Sequence, residues 1–434
     1  MSASIGSHTF RSLRTRNARR FFIGLTISNV GAWIQSTAMG LLVYRLTGKA
    51  TDVGITLLAQ FLPMLLLGVW AGALADRVDK RKMAIVTQSV MGVQAIVIGV
   101  LELAGLVELW VVFAAAFVLG VAGALDNPAR RGYVVELVEP ADIPNVLALN
   151  TAVMTGSRIF GPALAAGLIG PLGAGWLFIL NGLTFLAILW PMITADESDL
   201  HRSPPAAWGG RPVREALVFV ASNPRLRTMF VVFTLVGTFA FNYGVSLLKI
   251  ADQRFGDMEL FGWLLALTSV GSLLGSLYSA GRPSIGMRYF FGSIVLLGVS
   301  GIAVSWSPNI WVAYLMGLPL GAGGAALISA MNGISQLESP PHMRGRILAL
   351  GAVAFLGTTP IGAPITGWVA DTVSAEWSLA YGSVTALVCA AAGIVVHRRN
   401  VGRPAAIEAA AIEAAAIEAA AVEAAAVEAA AVER

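Results

Sequence analysis

The sequence predicts an all-α membrane protein in which twelve transmembrane helices form two six-helix, pseudo-symmetric bundles. Three observations support this fold class: an apolar composition, the number of segments long enough to cross a bilayer, and an internal repeat. Of the 434 residues, 56% are hydrophobic and 12% are charged, and the mean hydropathy is +0.75. Soluble domains carry about a quarter charged residues, so this composition argues against a soluble fold.

The apolar segments give the number of membrane crossings. A helix needs about 20 apolar residues to span the hydrocarbon core of a bilayer. Twelve such segments are present, at 20–45, 52–75, 83–104, 109–130, 145–169, 174–194, 227–249, 259–280, 288–306, 310–337, 347–370 and 377–397. We therefore expect twelve spans, numbered in chain order.

Lysine and arginine are unevenly distributed between the two faces of these spans. Of the 29 basic residues, 24 fall in the tails and loops of one face, four fall on the other, and Arg158 lies within a span. Because cytoplasmic loops carry the excess of basic residues, we expect both termini and the central loop in the cytoplasm, with the chain in the cell inner membrane. The basic net charge thus reflects topology, and we expect no nucleic-acid partner.

One long polar stretch divides the spans into two sets of six. It contains Ser203-Pro204-Pro205 and Gly209-Gly210, which are typical of a linker. We expect an N-terminal bundle at 1–194, a cytoplasmic linker at 195–226, a C-terminal bundle at 227–400 and a low-complexity tail at 401–434. The tail repeats Ala, Ile or Val, and Glu without an apolar stripe, which indicates a solvated helix or a repeat expansion, with a partner-docking arm as the alternative.

An internal repeat relates the two sets of spans. Val146-Leu147-Ala148-Leu149 recurs as Ile347-Leu348-Ala349-Leu350, and the same interval separates Gly161 from Gly362. The repeat makes the fifth and eleventh spans equivalent. Paired repeats of this kind are common in membrane proteins that move solutes.

No arrangement of residues in the sequence indicates an enzyme. The histidines lie in tails or at span edges without the spacing of metal ligands: His8, His201, His342 and His397. The sequence contains neither a P-loop lysine nor a Gly-rich nucleotide turn. We expect no metal and no cofactor, so a solute would move along an ion gradient or downhill.

Polar side chains inside spans carry the functional signal, because they are costly in hydrocarbon. Arg158 lies about 13 residues into the fifth span, ~20 Å from its start. One interpretation is a cavity-facing cation that meets an anionic group of a substrate or a gating carboxylate. The other is a structural ion pair with Asp126 of the preceding span.

Asp126 precedes Asn127-Pro128 near the end of the fourth span. The proline removes a backbone donor and bends the helix. Asp126 is either the carboxylate that carries a coupled proton, since pairing and burial tune its ionisation, or an interfacial charge at a helix end. The sequence leaves both open.

Further polar residues are candidates for a substrate or proton path. A polar stripe at helical spacing on a membrane helix should face the bundle interior. The stripe and the other candidates are Asn29, Trp33, Ser36 and Thr37 in the first span, with Gln35 off the stripe, Asn242 and Tyr243 in the seventh span, and Tyr314 and Asn332 in the tenth. The alternative role for each is a hydrogen bond between helices, worth about 0.6 kcal/mol on average.

The turn between the second and third spans has a distinctive order of residues. Glycines close the apolar run, an acid follows, and a basic cluster comes next. This pattern resembles the loop signature of the major facilitator superfamily, which is matched by Gly72, Leu74, Asp76, Arg77, Arg81 and Lys82. Asp79 stands where many members have glycine.

Three further stretches are similar to narrower groups within that superfamily. Residues 156–163 resemble the fifth-span motif of proton-coupled drug antiporters. Residues 126–131 followed by Glu136-Leu137-Val138, and residues 43–48, resemble a branch that includes the enterobactin exporter and macrolide-efflux proteins, the transmembrane secretion effectors. The resemblance covers about 10–400 and leaves out the tail.

The resemblance implies alternating access around a central cavity lined chiefly by spans 1, 4, 7 and 10. It implies a gating latch in which Asp76 pairs with Arg130 or Arg131 and caps the eleventh span in the outward-open state. Gly72 and Arg77 belong to the same latch. A tight seam with the eighth span is implied for Gly156, Gly161 and Pro162.

Two departures from the family pattern bear on mechanism. Ala116 occupies the position in the fourth span where many drug antiporters carry arginine, which puts their usual proton relay in doubt. Ser279 occupies the position in the second half where the acid of the loop signature would be, so we expect a one-sided latch.

Together these features predict a secondary active exporter that moves a small amphipathic compound, drug-like or siderophore-like, out across the cytoplasmic membrane in exchange for protons. The expected partners are the small-molecule substrate, protons and membrane lipid, and we expect a monomer. The alternative is a non-transporting membrane scaffold or sensor that uses the transporter fold.

Overall fold

The computed structural model describes residues 10–75, 77–201, 212–282, 284–340 and 343–399. Asp76, the middle of the linker and the repeat tail lie outside these ranges. The predictions made for Asp76, His8, His342 and residues 401–434 therefore fall on residues that the structure does not describe.

Long helices follow one another through the first half of the described chain. They are α1 (Arg16–Thr47), α2 (Ala50–Ala75), α3 (Lys80–Leu103), α4 (Leu109–Glu136) and the stretch Ile143–Ile193. This last stretch breaks at Gly173, whose φ of 78° and ψ of 167° are accessible to glycine without strain. We label its arms α5 (143–172) and α6 (174–193).

The second half begins with a short helix and contains two broken spans. Its helices are α7 (Pro212–Ser222), α8 (Pro224–Ala240), α9 (Tyr243–Phe255), α10 (Leu260–Ala280), α11 (Met287–Ser305), α12 (Ile310–Glu338), α13 (Arg344–Leu356), α14 (Thr359–Thr372) and α15 (Ala375–Arg399). One crossing consists of α8 and α9, and another of α13 and α14.

Twelve crossings account for these helices, as the sequence predicts. Ten described segments are long and apolar enough to cross a membrane, and one of them, Pro140–Ile193, has 54 residues and crosses twice because it folds back at Gly173. The twelfth crossing is α1, which is 32 residues long but carries the polar side chains of the first-span stripe. The described residues contain no β-strand.

Consecutive crossings run in opposite directions, which places the helix ends in two layers. One layer carries the start of α1 and the turns α2–α3 and α4–α5, together with most of the basic residues. We call this layer the basic end. The other layer, which carries the turns α1–α2 and α9–α10, is called the opposite end.

Helices of each half pack mainly on one another. In the first half, α1 packs on the α5–α6 stretch, α2 on α4, and α3 on α4 and the α5–α6 stretch; in the second half, α12 packs on α10 and α11. Two seams join the halves: α2 lies along α14, and the α5–α6 stretch lies along α10.

Glycines at equivalent positions make equivalent close contacts in the two halves. Gly120 of α4 abuts α2 as Gly321 of α12 abuts α10, and Gly161 of α5 abuts α1 as Gly362 of α14 abuts α8. Small residues let membrane helices approach this closely. Because both pairs are separated by the interval of the sequence repeat, the repeat is visible in the packing.

The linker contains a helix that the sequence analysis did not predict. α7 buries Ala216 and Val220, and its Glu215 pairs with Arg346 of α13 at 2.6 Å. The prolines and glycines that indicated a linker lie before this helix. The connection between the halves is therefore partly an amphipathic helix docked on the second half.

We predict that Gly321→Ala destabilises the protein, because a Cβ at this position would overlap the Thr268 carbonyl. Overpacking of this kind costs about 1–3 kcal/mol. Gly167→Ala is the control, since the space beside Gly167 is open and alanine favours the helix. Thermal unfolding in detergent should give a lower midpoint for Gly321→Ala alone; equal midpoints would contradict the packing.

Candidate functional site

Asp371, in the last turn of α14, joins the two halves at the opposite end. Its carboxylate accepts hydrogen bonds from the backbone N–H groups of Ala50 at 3.0 Å and Thr51 at 2.8 Å, and from the Thr51 hydroxyl at 2.7 Å. The first N–H groups of a helix have no partner within it. A carboxylate of the second half thus caps a helix of the first, where the helix dipole favours negative charge.

Lys249 of α9 completes this contact. Its ammonium lies 2.9 Å from Oδ1 of Asp371 and donates to the Gly48 carbonyl at 3.1 Å. It also lies 5.1 Å from the centroid of the Tyr44 ring, and the Tyr44 hydroxyl donates to Asp252 at 2.6 Å. We call Tyr44, Lys249, Asp252 and Asp371 the gate, because they fasten α1 and α2 to α9 and α14.

Backbone packing extends the closure beside the gate. Gly54 of α2 abuts the backbone of Ala363 in α14, and Gly262 of α10 abuts Ala166 in α5. Neither glycine could carry a Cβ without a shift of its neighbour. In both seams, the helices are therefore tightly packed in the part that lies nearer the opposite end.

The same helices diverge toward the basic end. A Cβ added to Gly68 or Gly72 of α2, or to Gly156 of α5, would have no atom within 4 Å. We infer from these positions that the space between the halves, which is closed at the opposite end, is open toward the basic end. We call this space the chamber.

Arg158 of α5 is exposed on the wall of the chamber. Its guanidinium carbon lies 5.2 Å from the centroid of the Trp33 ring on α1, within range of a cation–π contact. Tyr243 of α9 is near enough for the charge of Arg158 to act on its hydroxyl. Arg158 has no carboxylate partner in the described part of the chain, and the proposed ion pair with Asp126 is wrong because Asp126 pairs elsewhere.

Asp126 of α4 is buried, with 3% of its surface exposed. Arg130, one turn later, donates to its Oδ2 at 2.8 Å. Its Oδ1 accepts hydrogen bonds from Gln88 at 2.8 Å and Thr87 at 3.1 Å on α3. The carboxylate thus faces the helices of its own half, held by one cation and two neutral donors.

A cavity of about 260 Å³ adjoins this ion pair, between α1, α2, α3, α4 and α6. Its polar lining includes Asn29, Gln60, Gln88, Asp126 and Arg130, and its apolar lining includes aromatic and methionine side chains. Nδ2 of Asn29 and Oε1 of Gln88 are buried without a hydrogen-bond partner among the described residues. A cavity of this kind offers donors, acceptors and apolar contact together, as small-molecule sites do.

Gln35 does not belong to the chamber, contrary to its inclusion as a path candidate. It is 2% exposed, donates to Gln94 of α3 at 3.1 Å and accepts from Asn181 of α6. Because Gln35 lies off the polar stripe, it points into its own bundle. Thr37, on the stripe, bonds the Trp33 carbonyl one turn earlier, while Ser36 is exposed.

The remaining path candidates occupy different depths of the second half. Asn242 is buried at the break between α8 and α9 and donates to the Thr238 carbonyl at 2.6 Å. Tyr314 packs edge-on against Trp311 near the opposite end. Asn332 is exposed in the part of α12 nearer the basic end. The structure thus brings Arg158, Trp33 and Tyr243 together, and leaves Tyr314 and Asn332 apart.

Aromatic residues beside the two helix breaks were missed by the sequence analysis. Phe355, at the end of α13, lies 4.7 Å from Phe241 and 5.8 Å from Phe233, measured between ring centroids, and Phe241 lies 6.3 Å from Tyr243. Phenylalanine is ordinary in a membrane span, so nothing in the sequence marks these residues. Lys249 and Asp371 were missed as gate residues because they lie at span ends, where charge was attributed to topology.

The structure describes the residues around the predicted latch but not Asp76 itself. Arg130 is engaged with Asp126, and Arg131 is exposed. The space beside Gly72 is open. The pairing of Asp76, and with it the role of Arg77, stays a prediction for the outward-open conformation.

The predicted seam between Gly161 and the eighth span is wrong. Gly161 abuts Trp33 and Val30 of α1, inside its own half. The close contacts of α5 with the eighth span lie farther along the helix, where Ala166 abuts Gly262 and Gly170 faces the Glu259 side chain just before α10. Pro162 is buried beside Gly161, so the motif shapes packing within the first half.

The basic cluster of the α2–α3 turn binds the first half together. Lys80 pairs with Glu136 of α4 at 2.9 Å, and Arg81 donates to the carbonyls of Met192 at 2.6 Å and Ile193 at 2.9 Å. Asp79 caps α3 by accepting from a backbone N–H at 3.0 Å. The acid that replaces the family's usual glycine therefore has a structural role.

A twelve-span bundle with an internal repeat and a chamber gated at one end defines a membrane transporter of the major facilitator type. Within that class, the profile of the transmembrane secretion effector family matches residues 7–426, and the chain belongs to this family. The resemblance inferred from the motifs is confirmed.

Relatives with similar sequences include two named transporters. The chain is 22% identical over 356 residues to the staphyloferrin A transporter of Staphylococcus aureus, covering 81% of this chain and 89% of that one. It is 26% identical over 365 residues to the multidrug efflux pump Tap of Mycolicibacterium fortuitum, covering 81% and 88%. An MFS-type transporter of Bacillus subtilis, YfiS, is 26% identical over 382 residues, covering 84% and 87%.

Solved structures of other transporters share the fold. A bacterial homologue of the human lysosomal transporter Spinster has a TM-score of 0.67 at 14% identity, covering 88% of this chain and 97% of that one. A POT family transporter in complex with 5-aminolevulinic acid has a TM-score of 0.70 at 11% identity, covering 88% and 96%. At these identities the likeness establishes the architecture alone.

We predict that Asp371→Asn opens the gate, because the amide loses the charge that binds Lys249 and the α2 N-terminus. Charged hydrogen bonds contribute about 1.5–3 kcal/mol, so the closed population should fall roughly tenfold or more relative to the open one. Glu376→Gln is the control, since Glu376 pairs with Arg254 inside the second half at the same end. Distances between spin labels across the opposite end measure the populations; unchanged distributions for Asp371→Asn would contradict the gate.

Proposed function

We propose that the protein is a secondary active exporter that moves a small amphipathic compound bearing an anionic group out of the cell in exchange for protons. The observation that carries this proposal is Arg158, a cation on the chamber wall without a carboxylate partner in the described chain. An ionised side chain at membrane depth is costly, and such residues face cavities on a substrate or ion pathway. A substrate anion would supply the missing countercharge.

The surroundings of Arg158 support an amphipathic substrate. Trp33 lies beneath the guanidinium on one side, and the aromatic group of Phe241, Tyr243 and Phe355 lies in the other half. Aromatic walls with one or two polar groups bind small organic molecules. The relatives that carry a siderophore or drugs in their names are consistent with this chemistry.

The distribution of charge supports an orientation with the basic end in the cytoplasm of the inner membrane. In that orientation the chamber opens to the cytoplasm, and the gate closes it toward the outside. An exporter loads its substrate in this conformation. Closure at the basic end with release of the gate would then expose the chamber to the outside.

Asp126 is our candidate for the proton-coupling carboxylate. Its charge is balanced by Arg130 in a buried site beside the polar cavity. Protonation would remove that balance and leave Arg130 in need of another anion. We propose that substrate is carried outward while Asp126 is ionised and paired with Arg130, and that the empty protein returns with Asp126 protonated, so that one proton enters for each outward passage of substrate.

The substrate proposal predicts that Arg158→Gln lowers the affinity for anionic substrates by roughly tenfold or more, since charged hydrogen bonds contribute about 1.5–3 kcal/mol. Neutral drugs should be affected less, and Arg158→Lys should retain part of the affinity. Counterflow in proteoliposomes, with a panel of carboxylate siderophores and neutral drugs, measures this. Equal losses for both classes, or a loss of yield alone, would show that Arg158 is structural.

The coupling proposal predicts that Asp126→Asn abolishes uphill efflux driven by a pH gradient while counterflow persists, because exchange of substrate for substrate needs no proton. Glu139→Gln, an exposed carboxylate near the same end, is the control. Wild-type efflux should also stop when the pH gradient is collapsed. Wild-type efflux that does not change when the pH gradient is collapsed would contradict proton coupling. Absence of counterflow in the wild type would contradict the proposal that the protein is a transporter of these compounds.

A further inference from the structure

Two adjoining cavities lie at the basic end of the second half, away from the chamber residues described above. One, of about 400 Å³, lies around the α10–α11 turn and reaches the ends of α12 and α15. The other, of about 550 Å³, runs between α10, α11 and α12. The two share Arg282, Arg288 and Tyr289 in their linings. They therefore form one continuous site with a basic centre.

The arginines at this centre lack a countercharge. The Arg282 guanidinium carbon lies 5.0 Å from the ring centroid of Tyr278 and 4.7 Å from that of Tyr289, and a guanidinium N–H donates to the Tyr278 hydroxyl at 2.8 Å. Neither Arg282 nor Arg288 pairs with a carboxylate in the described ranges. Glu338, in the lining of the first cavity, already pairs with Arg225 at 3.1 Å.

The first half places an acid at the equivalent loop position, and the second half has Ser279 instead. Ser279 is buried and shares a hydrogen bond of 2.6 Å with the Tyr289 hydroxyl. This contact orients Tyr289 beneath Arg282 but contributes no negative charge. The substitution thus leaves two cations free to bind an external anion.

The second cavity is an apolar groove that opens on the membrane-facing surface. Leu274 and Leu296 form its sides and are 54% and 41% exposed. Its floor consists of small residues: Gly275, Gly292, Ala322 and Ala326. The groove leads away from the arginines into the depth of the bilayer. An acyl chain would follow such an apolar path, whereas a water-soluble anion would not.

We propose that this site binds an anionic phospholipid of the surrounding leaflet. The phosphate lies against Arg282 and Arg288, and one acyl chain occupies the groove between α10, α11 and α12. Basic pockets between membrane helices bind acidic headgroups, and tyrosines belong to the membrane interface at this depth. In the orientation proposed above, the lipid comes from the inner leaflet.

Native mass spectrometry of the full chain, purified with equal amounts of phosphatidylglycerol and phosphatidylcholine, tests the proposal. The wild type should retain phosphatidylglycerol. Arg282→Gln/Arg288→Gln should weaken its retention roughly tenfold or more, because both basic groups that meet the phosphate are removed. Arg214→Gln/Arg227→Gln, which removes two exposed cations outside the site, should retain it as the wild type does.

A second variant separates the acyl groove from the charge. Gly292→Leu fills the groove without a clash, because the space beside Gly292 is open, and it should release the lipid with both arginines present. Inorganic phosphate at millimolar concentration should not displace the lipid; displacement would show a site for free anions. Retention by both the double arginine variant and Gly292→Leu would overturn the proposal, as would equal retention of the two lipids by the wild type.

Discussion

The Asp371 carboxylate is the contact on which the observed conformation depends. It lies at the meeting point of α2, α9 and α14, where it satisfies the free N–H groups of one helix and the ammonium of another. Removal of a single partner would leave a partly buried charge uncompensated, which is costly in a low dielectric. Closure at one end of the chamber therefore follows from the electrostatics of one group, supported by the backbone packing of α2 on α14.

Away from the gate, some charged side chains have hydrogen-bond or ion-pair partners within their own half, and others have no partner of opposite charge in the described chain. Lys80, Arg81 and Asp126 are all engaged with residues of the first half, so that half can move as a rigid body. Arg158 in the chamber and Arg282 at the membrane surface lack carboxylate partners in the described chain. The first group holds helices together, and the second is the group that we propose binds ligands.

The sequence predicted the fold because membrane helices are specified by length, hydropathy and repetition, all of which are local or periodic. It also made Arg158 and Asp126 candidates for the site, since a charge within a span is conspicuous. It could not determine that Gln35 points into its own bundle, or that Gly161 contacts α1 and not α10. Both facts depend on how each packed helix is rotated about its axis. Lys249 and Asp371 are 122 positions apart, and no local pattern links them.

The break in the seventh crossing turns α9 into a short rod of 13 residues, bounded by Asn242 and by Gly256 in the left-handed conformation. Tyr243 at its first position borders the chamber, and Lys249, about 9 Å along the axis at 1.5 Å per residue, holds Asp371. A rigid rod transmits tilt between its ends. We therefore expect that a displacement of the Tyr243 ring would shift Lys249, so that occupancy of the chamber would change the contact between Lys249 and Asp371.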